Sequence, residues 1–211
     1  MRKVNLLVLL VAFLAVPASL TAQGFGNAGI GIFGGVAMPM GEFADDDTDD
    51  EDAGFAKLGF TLGADAYLPL GTTPFGWVTS ASVNSIGFDG EEAQGDDADF
   101  GRYLMIPIMT GVSYPFGMGT GMTLSPMAQI GLNLAMGPSG EVGDTEVSAG
   151  MGMALAFSLG ANFMFSENLG ATARWVNGGA PERDIDIEGQ EDQEADNPIS
   201  FVQLGVVWRL R

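Results

Sequence analysis

The sequence predicts an all-β protein in which eight antiparallel strands, in up-and-down order, close into a transmembrane barrel. Three observations predict this fold. Apolar residues alternate with small or polar residues along eight runs, and a period of two is that of a β-strand. Acidic stretches and short turns alternate between these runs. Hydrophobic residues make up 46% of the chain although its formal net charge is −19, so the charge is kept apart from the strands.

Residues 1–22 are expected to be a secretory signal peptide, and residues 23–211 the barrel domain. Arg2 and Lys3 precede an apolar run, and small residues follow it up to Ala22, which is the order found in signal peptides. The remainder has no continuous apolar stretch long enough for a transmembrane helix. The chain contains no Cys, so neither disulfides nor a cysteine-linked lipid anchor are expected.

The acidic residues are confined to four clusters between the apolar runs. Only Asp65 and Glu167 lie elsewhere, and the chain has 8 Lys and Arg against 27 Asp and Glu. Because phosphate binding requires Lys and Arg, nucleic acid is not expected as a partner. The clusters occupy residues 42–52, 89–99, 141–146 and 182–196.

The eight alternating runs are expected to be the strands, and three short breaks rich in Gly, Pro, Asn and Ser are expected to be turns. In the sixth run, large apolar residues from Met151 to Phe165 alternate with Gly, Ala, Ser and Asn. The predicted strands cover residues 28–40, 55–69, 76–88, 102–115, 120–136, 148–165, 169–178 and 199–211.

The composition of the two strand faces indicates which face meets lipid. A soluble sandwich or a lipocalin-like carrier would bury the large apolar face and expose a charged one, but the second face here is mainly Gly, Ser, Thr, Asn and Gln. The opposite arrangement, with the apolar face toward lipid and the small polar face toward a narrow lumen, is that of transmembrane barrels. A chain without spanning helices can cross a bilayer only as a closed barrel.

Three charged residues on the small face, Lys57, Asp65 and Arg174, are then expected to point into the lumen. Two interpretations of them stay open: an ion-pair network that plugs a narrow interior, or a lining for small ions. Aromatic residues beside the short turns are expected to form one interfacial girdle. They are Tyr67, Trp77, Tyr114, Phe165 and Trp208.

Three stretches resemble one family. They are GIFGGVAMPMGEFAD (31–45), RYLMIPIMTGVSYPFG (102–117) and QLGVVWRLR (203–211). Together with the loop pattern, they are similar to the outer-membrane protein beta-barrel domain family, the small eight-stranded bacterial type, porin-like or OmpA-type, without a periplasmic domain. The resemblance implies a chain exported to the cell outer membrane, with long loops outside and short turns in the periplasm.

The resemblance also implies partners for the barrel. The last strand is similar to the assembly signal of the family, carried here by Gln203, Gly205, Trp208 and Leu210. The outer-membrane barrel assembly machinery is therefore expected as a partner during biogenesis. Outer-membrane lipid and lipopolysaccharide are expected around the finished barrel.

Enzymatic activity is not expected. Small outer-membrane barrels that hydrolyse or transfer acyl chains use a Ser with a His base, and this chain has no His. Asp65 and Glu167 are the only acidic residues outside the clusters, and their spacing does not suggest a catalytic pair.

The acidic clusters suggest one cofactor, weakly bound Ca²⁺. Asp45, Asp47 and Asp49 have the alternate spacing of a calcium loop, but Asp50 stands where an EF-hand needs Gly and Ala56 where it needs Glu. The alternative is a set of solvated, mutually repelling loops. In the other clusters, the residues that could converge with this one at the barrel rim are Asp96, Asp97, Asp99, Asp184 and Asp186.

The sequence therefore predicts a small integral outer-membrane barrel with a non-enzymatic structural or cell-surface interaction role. Its acidic outer loops are candidates for divalent-cation binding. The alternative function is a narrow porin-like channel for ions or small solutes.

Overall fold

The computed structural model describes residues 29–47, 53–90, 93, 98–119, 121–142, 145–187, 193–195 and 197–210. The predicted signal peptide lies outside these residues. A 3-10 helix covers Gly41–Ala44. The described strands are β1 (Gly29–Pro39), β2 (Ala56–Pro69), β3 (Gly76–Phe88), β4 (Ala98–Phe100), β5 (Arg102–Ser113), β6 (Phe116–Gly117), β7 (Thr123–Met136), β8 (Gly140–Val142), β9 (Thr145–Ala149), β10 (Met151–Met164), β11 (Leu169–Gly179), β12 (Arg183–Ile187), β13 (Gln193–Ala195) and β14 (Ile199–Leu210).

Eight long strands form a closed barrel. They follow the order β10-β11-β14-β1-β2-β3-β5-β7, and β7 pairs back onto β10. Every pairing is antiparallel, including that of the first strand, β1, with the last, β14. Each long strand therefore lies beside the next long strand in the sequence, and the predicted eight-stranded up-and-down barrel is confirmed.

The two faces of the strands are arranged as the alternation predicts. Large apolar side chains point away from the barrel: Leu155 is 72% exposed and Ile130 is 62% exposed. Their sequence neighbours point inward, where Ala156 and Gln129 are buried. Such an exposed apolar belt is unfavourable in water and is what the hydrocarbon core of a bilayer covers. None of the helical segments in the described part of the chain has the length and apolarity needed to cross a membrane.

Several glycines allow neighbouring strands to approach closely. A Cβ atom at Gly131 of β7 would lie 2.0 Å from the carbonyl oxygen of Ile108 on β5. A Cβ atom at Gly111 of β5 would lie 2.0 Å from the carbonyl oxygen of Ala128 on β7. Because real Cβ atoms do not come this close, glycine is required where these strands coil around the narrow barrel.

A β-bulge near the loop end of β2 changes which residues face inward. Lys57 pairs with Gly87 and Phe60 pairs with Ser85, so β2 has one more residue than β3 between these positions. An extra residue reverses the inward–outward alternation beyond it. The structure therefore does not place Lys57 in the lumen: its side chain is 62% exposed and forms an ion pair with Asp89.

The long connections at the loop end form a second sheet instead of independent solvated loops. Its five strands follow the order β13-β12-β9-β8-β4 and come from three of the four acidic clusters. Residues 145–149 and 183–187 alternate polar or acidic residues with Val, Ala and Ile, which is a strand pattern. Backbone pairing between the long connections therefore gives the loop end of the barrel a defined structure.

Candidate functional site

The centre of the lumen holds a buried ion pair. Asp65 on β2 and Arg174 on β11 are 1% and 3% exposed. Arg174 Nη1 donates to Asp65 Oδ1 at 2.8 Å, and Nη2 donates to Asp65 Oδ2 at 2.5 Å. Strands β14 and β1 separate β11 from β2 in the sheet, so this bidentate pair crosses the lumen. It joins two sides of the barrel that share no backbone hydrogen bonds.

Further groups hold the ion pair in place. Arg174 Nε donates to Thr172 Oγ1 at 3.0 Å, and its guanidinium carbon lies 4.2 Å from the centre of the Phe33 ring. The Tyr67 hydroxyl donates to Asp65 Oδ2 at 2.7 Å and accepts a hydrogen bond from Asn162 Nδ2. Most donors and acceptors of the pair are thus satisfied, as burial of two charges requires.

The position of Tyr67 differs from the sequence prediction. Tyr67 lies two residues after Asp65 on the same face of β2, so its hydroxyl points into the lumen and not to the membrane interface. Other aromatic residues are exposed around the short turns, and Phe75 and Tyr114 pack edge to face with ring centres 5.3 Å apart. Those exposed around this end are Phe75, Tyr114, Phe116, Phe165 and Trp208.

A second polar group lies around Gln203 of β14. Its side-chain Nε2 lies 2.7 Å from Asn84 Oδ1 and 3.1 Å from the hydroxyls of Thr61 and Ser82. Asn84 Nδ2 in turn donates to the carbonyl of Met105 at 3.3 Å. These contacts join β14 to β2, β3 and β5 through the interior.

Several buried polar atoms along β7 and β10 have no hydrogen-bond partner among the residues that the structure describes. Gln129 Nε2 donates to Ser80 Oγ at 2.6 Å, but Gln129 Oε1 has no hydrogen-bond partner, and neither has Ser158 Oγ, which lies opposite it on β10. Ser125 Oγ and Asn133 Oδ1, on the same face of β7, are also without a partner. Buried groups of this kind are the ones that bind internal water.

Two apolar clusters lie in the lumen besides the polar groups. Phe33, Met164 and Val207 are buried together toward the short turns. A larger cluster lies toward the loop end. Because the interior of an eight-stranded barrel is only wide enough for side chains, these clusters and the polar groups together occupy the lumen. The larger cluster comprises Ala37, Phe43, Ala56, Ile86, Tyr103, Met105, Met109, Ala135, Ala156, Val176, Ile199 and Phe201.

The first connection supplies the top of the larger cluster. Phe43, in the 3-10 helix, is 1% exposed, and its ring centre lies 5.0 Å from that of Tyr103. The Tyr103 hydroxyl donates to the carbonyl of Gly54 at 3.0 Å, and the Gly54 amide donates to the carbonyl of Glu42 at 2.8 Å. Both ends of this connection are thereby fixed over the barrel mouth. The sequence signal for this contact is a single Phe, Phe43, within an acidic stretch.

A buried cation also lies near the mouth. Arg183 of β12 is 5% exposed, its Nη2 donates to Asn197 Oδ1 at 3.3 Å, and its guanidinium carbon lies 5.7 Å from the centre of the Tyr103 ring. Its Nε has no hydrogen-bond partner among the described residues. The sequence analysis did not single out Arg183, because β12 was not expected to be a strand.

The structure gathers no metal-binding group among the residues it describes. The Asp47 amide donates to Asp45 Oδ1 at 3.0 Å in a local turn. The backbone of Asp184 pairs with Glu194, and that of Asp186 with Ser148. Calcium binding stays a prediction, and Asp49, Asp96 and Asp97 lie outside the described residues.

Acidic positions lie opposite each other in the loop sheet. Asp99 on β4 pairs with Glu141 on β8, and Glu141 pairs with Glu146 on β9. The backbone register therefore places acidic residues at opposite positions on three adjacent strands of the loop sheet.

The four residues of the expected assembly signal lie on β14. Gln203 points into the lumen, whereas Trp208 and Leu210 are exposed on the apolar belt. Gly205 pairs with Gly35 of β1, so two glycines face each other where the first and last strands meet. Recognition of this strand during assembly stays a prediction.

Solved structures share this architecture. The crystal structure of Neisserial surface protein A has a TM-score of 0.50 and 14% identity, covering 87% of this chain and 96% of that chain. A major outer membrane protein from Thermus thermophilus has a TM-score of 0.52 and 12% identity, covering 87% and 99%. No protein-family model and no curated protein matches the sequence. The chain therefore has the fold of small outer-membrane barrels.

Proposed function

We propose that this chain is an integral outer-membrane protein that acts through its outer surface, without enzymatic chemistry, and that the barrel anchors it. The observation that carries this proposal is the filled interior. An ion pair and two apolar clusters occupy the lumen, whereas the loop sheet extends beyond the apolar belt. We therefore expect the loop sheet, and not the lumen, to contact partners.

Cell fractionation tests the location. We expect the chain in the outer-membrane fraction, with the change in gel mobility on heating that folded barrels show. Recovery in the periplasmic extract would instead support a soluble carrier. Lipid acylation or deacylation by the purified protein would overturn the non-enzymatic assignment, which rests on the absence of His from the sequence.

A narrow channel is the second candidate function. Four polar atoms along β7 and β10 favour it, because they have no partner within the described part of the chain and would line a file of water. The apolar clusters oppose it, because passage of an ion through apolar surroundings has a high free-energy cost. In planar bilayers we expect no reproducible conductance steps. Steps that change when Asp65 or Arg174 is substituted would favour the channel.

Divalent cations are the ligands we propose for the acidic loops. The opposed acidic positions on β4, β8 and β9 support this proposal. Calorimetry of the refolded barrel at about 0.15 M salt, where loose counter-ion attraction is largely screened, tests it. Saturable Ca²⁺ binding that weakens when Asp45, Asp47 and Asp49 become Asn is expected, and no saturable heat would refute it.

A further inference from the structure

Two basic residues are exposed at the acidic loop end of the barrel. Arg174 and Arg183 are buried inside the barrel, and Arg209 lies at the short-turn end, 5.3 Å above the Tyr67 ring. Among the described residues, this leaves Lys57 and Arg102 as the basic side chains exposed at the loop end.

Both residues belong to one row of the sheet. Lys57 on β2 pairs with Gly87 on β3, and Gly87 pairs with Arg102 on β5. Residues directly opposite one another in a sheet point to the same side, and strands lie about 4.8 Å apart. The two basic residues are therefore roughly 10 Å apart at the backbone. The glycine between them has no side chain to cover the gap.

The bulge in β2 produces this row. Without the extra residue between Lys57 and Phe60, Lys57 would point into the lumen. The reversal of the alternation brings Lys57 to the outer surface beside Arg102. The bulge interrupts the regular pairing of β2 and β3, and it brings Lys57 to the same outer face of the sheet as Arg102.

The guanidinium of Arg102 is held in place. Its Nε donates to Ser85 Oγ at 2.9 Å, its Nη2 donates to the Ser85 carbonyl at 3.2 Å, and its central carbon lies 5.4 Å from the centre of the Phe60 ring. These contacts involve one edge of the guanidinium. Its Nη1 makes no hydrogen bond in the described part of the chain, so donors remain for an external anion.

The ammonium group of Lys57 is paired with one carboxylate. Asp89, whose side chain is 12% exposed, is its partner, while the Lys57 side chain is 62% exposed. The Asp89 amide donates to the Phe55 carbonyl at 2.9 Å, which ties Asp89 to the first connection. Because Lys57 is far more exposed than its partner, it can also meet a second anion from outside.

The row lies at the upper edge of the apolar belt. Leu58, Phe60 and Leu62 of the same strand are exposed below it, and acidic connections begin above it. Acyl chains would cover the belt, and the charged row would then be at the depth of lipid headgroups. Arg and Lys are the residues that bind phosphate, the former with paired donors and the latter as a point charge.

We propose that Lys57 and Arg102, one on each side of the open surface over Gly87, bind phosphate groups of an anionic glycolipid of the outer leaflet. This inference rests on the proposed location of the barrel in the outer membrane. It gives the strongly acidic chain a place of contact with anionic lipid that needs no bridging metal ion.

Lipid retention in nanodiscs tests the proposal. The refolded barrel is placed in neutral phosphatidylcholine with a minor fraction of lipid A, and bound lipid A per barrel is measured by native mass spectrometry. We expect the double variant K57Q/R102Q to bind lipid A about tenfold more weakly, since hydrogen bonds to charged groups contribute that much or more. R102K, which keeps the charge, should fall between wild type and R102Q.

The matched control is R209Q, which removes one charge at the other end of the barrel and should retain lipid A as wild type does. The heat-modifiable gel shift verifies that each variant is folded. Equal retention by wild type and the double variant would overturn the proposal, as would an equal loss in R209Q. Displacement of lipid A by inorganic phosphate at comparable concentration would overturn the commitment to a lipid. Failure of the proposed location would appear separately, in cell fractionation, because the nanodisc assay does not depend on it.

Discussion

Replacing Arg174 with Met tests the role of the buried ion pair. Met keeps an apolar chain beside Phe33 but removes both charge-assisted hydrogen bonds, at 2.8 and 2.5 Å, to Asp65. Asp65 is 1% exposed and would remain with only Tyr67 and Asn162 as partners. Leaving a buried charge without its counter-charge costs about 3–5 kcal/mol. We expect R174M to lower the free energy of unfolding by about that amount.

The assay is reversible urea unfolding of the barrel in lipid vesicles, followed by the fluorescence of its 3 Trp residues. The double variant D65N/R174M removes both charges and should regain most of the loss, because removal of both partners of a buried pair is often close to neutral. A loss below about 1 kcal/mol in R174M, or a double variant no more stable than R174M, would refute the account of the lumen.

Three further outcomes follow from the packing. Phe43→Ala should lower the free energy of unfolding by about 3–5 kcal/mol, because it opens a cavity in the larger apolar cluster. Phe75→Ala, at an exposed site, should leave urea unfolding nearly unchanged. Equal losses in the two variants would contradict the burial of Phe43 in that cluster. Gly131→Ala should lower the free energy of unfolding by about 1–3 kcal/mol through overpacking, because the added Cβ would lie 2.0 Å from a carbonyl oxygen. Gly117→Ala, with nothing within 4 Å, is its control in the same unfolding assay. Ca²⁺ should slow proteolysis of the loop sheet more than Na⁺ at equal ionic strength, and equal rates would exclude carboxylate bridging.

The barrel itself was predictable from the sequence. Strand β10 covers 151–164 where the alternation predicts 148–165. The alternation is a reliable guide because one face of the strand must stay apolar along its whole length, and a change of period would turn polar residues toward lipid. The segregation of acidic residues into the connections reflects the same constraint. Strand β12 was missed although its acidic residues alternate with Ile, since the density of charge suggested solvated loops.

Side-chain positions that depend on register were less predictable. The bulge that turns Lys57 outward requires knowledge of the pairing between β2 and β3. The contact between Asp65 and Arg174 joins residues 109 apart in the sequence and crosses the lumen, so local periodicity carries no information about it. Tyr67 is different, because its shared alternation with Asp65 already placed it on the lumen face.

The central claim is that the large apolar face meets lipid and the small face lines a filled interior. Because the chain has no Cys, single-cysteine variants at Leu155 and Ser158 can each carry one nitroxide label. Spin-label collision with oxygen, which partitions into lipid, and with a water-soluble nickel complex distinguishes the two environments. The account predicts high oxygen and low nickel accessibility at 155, and low accessibility to both at 158. High nickel accessibility at 155 would contradict it.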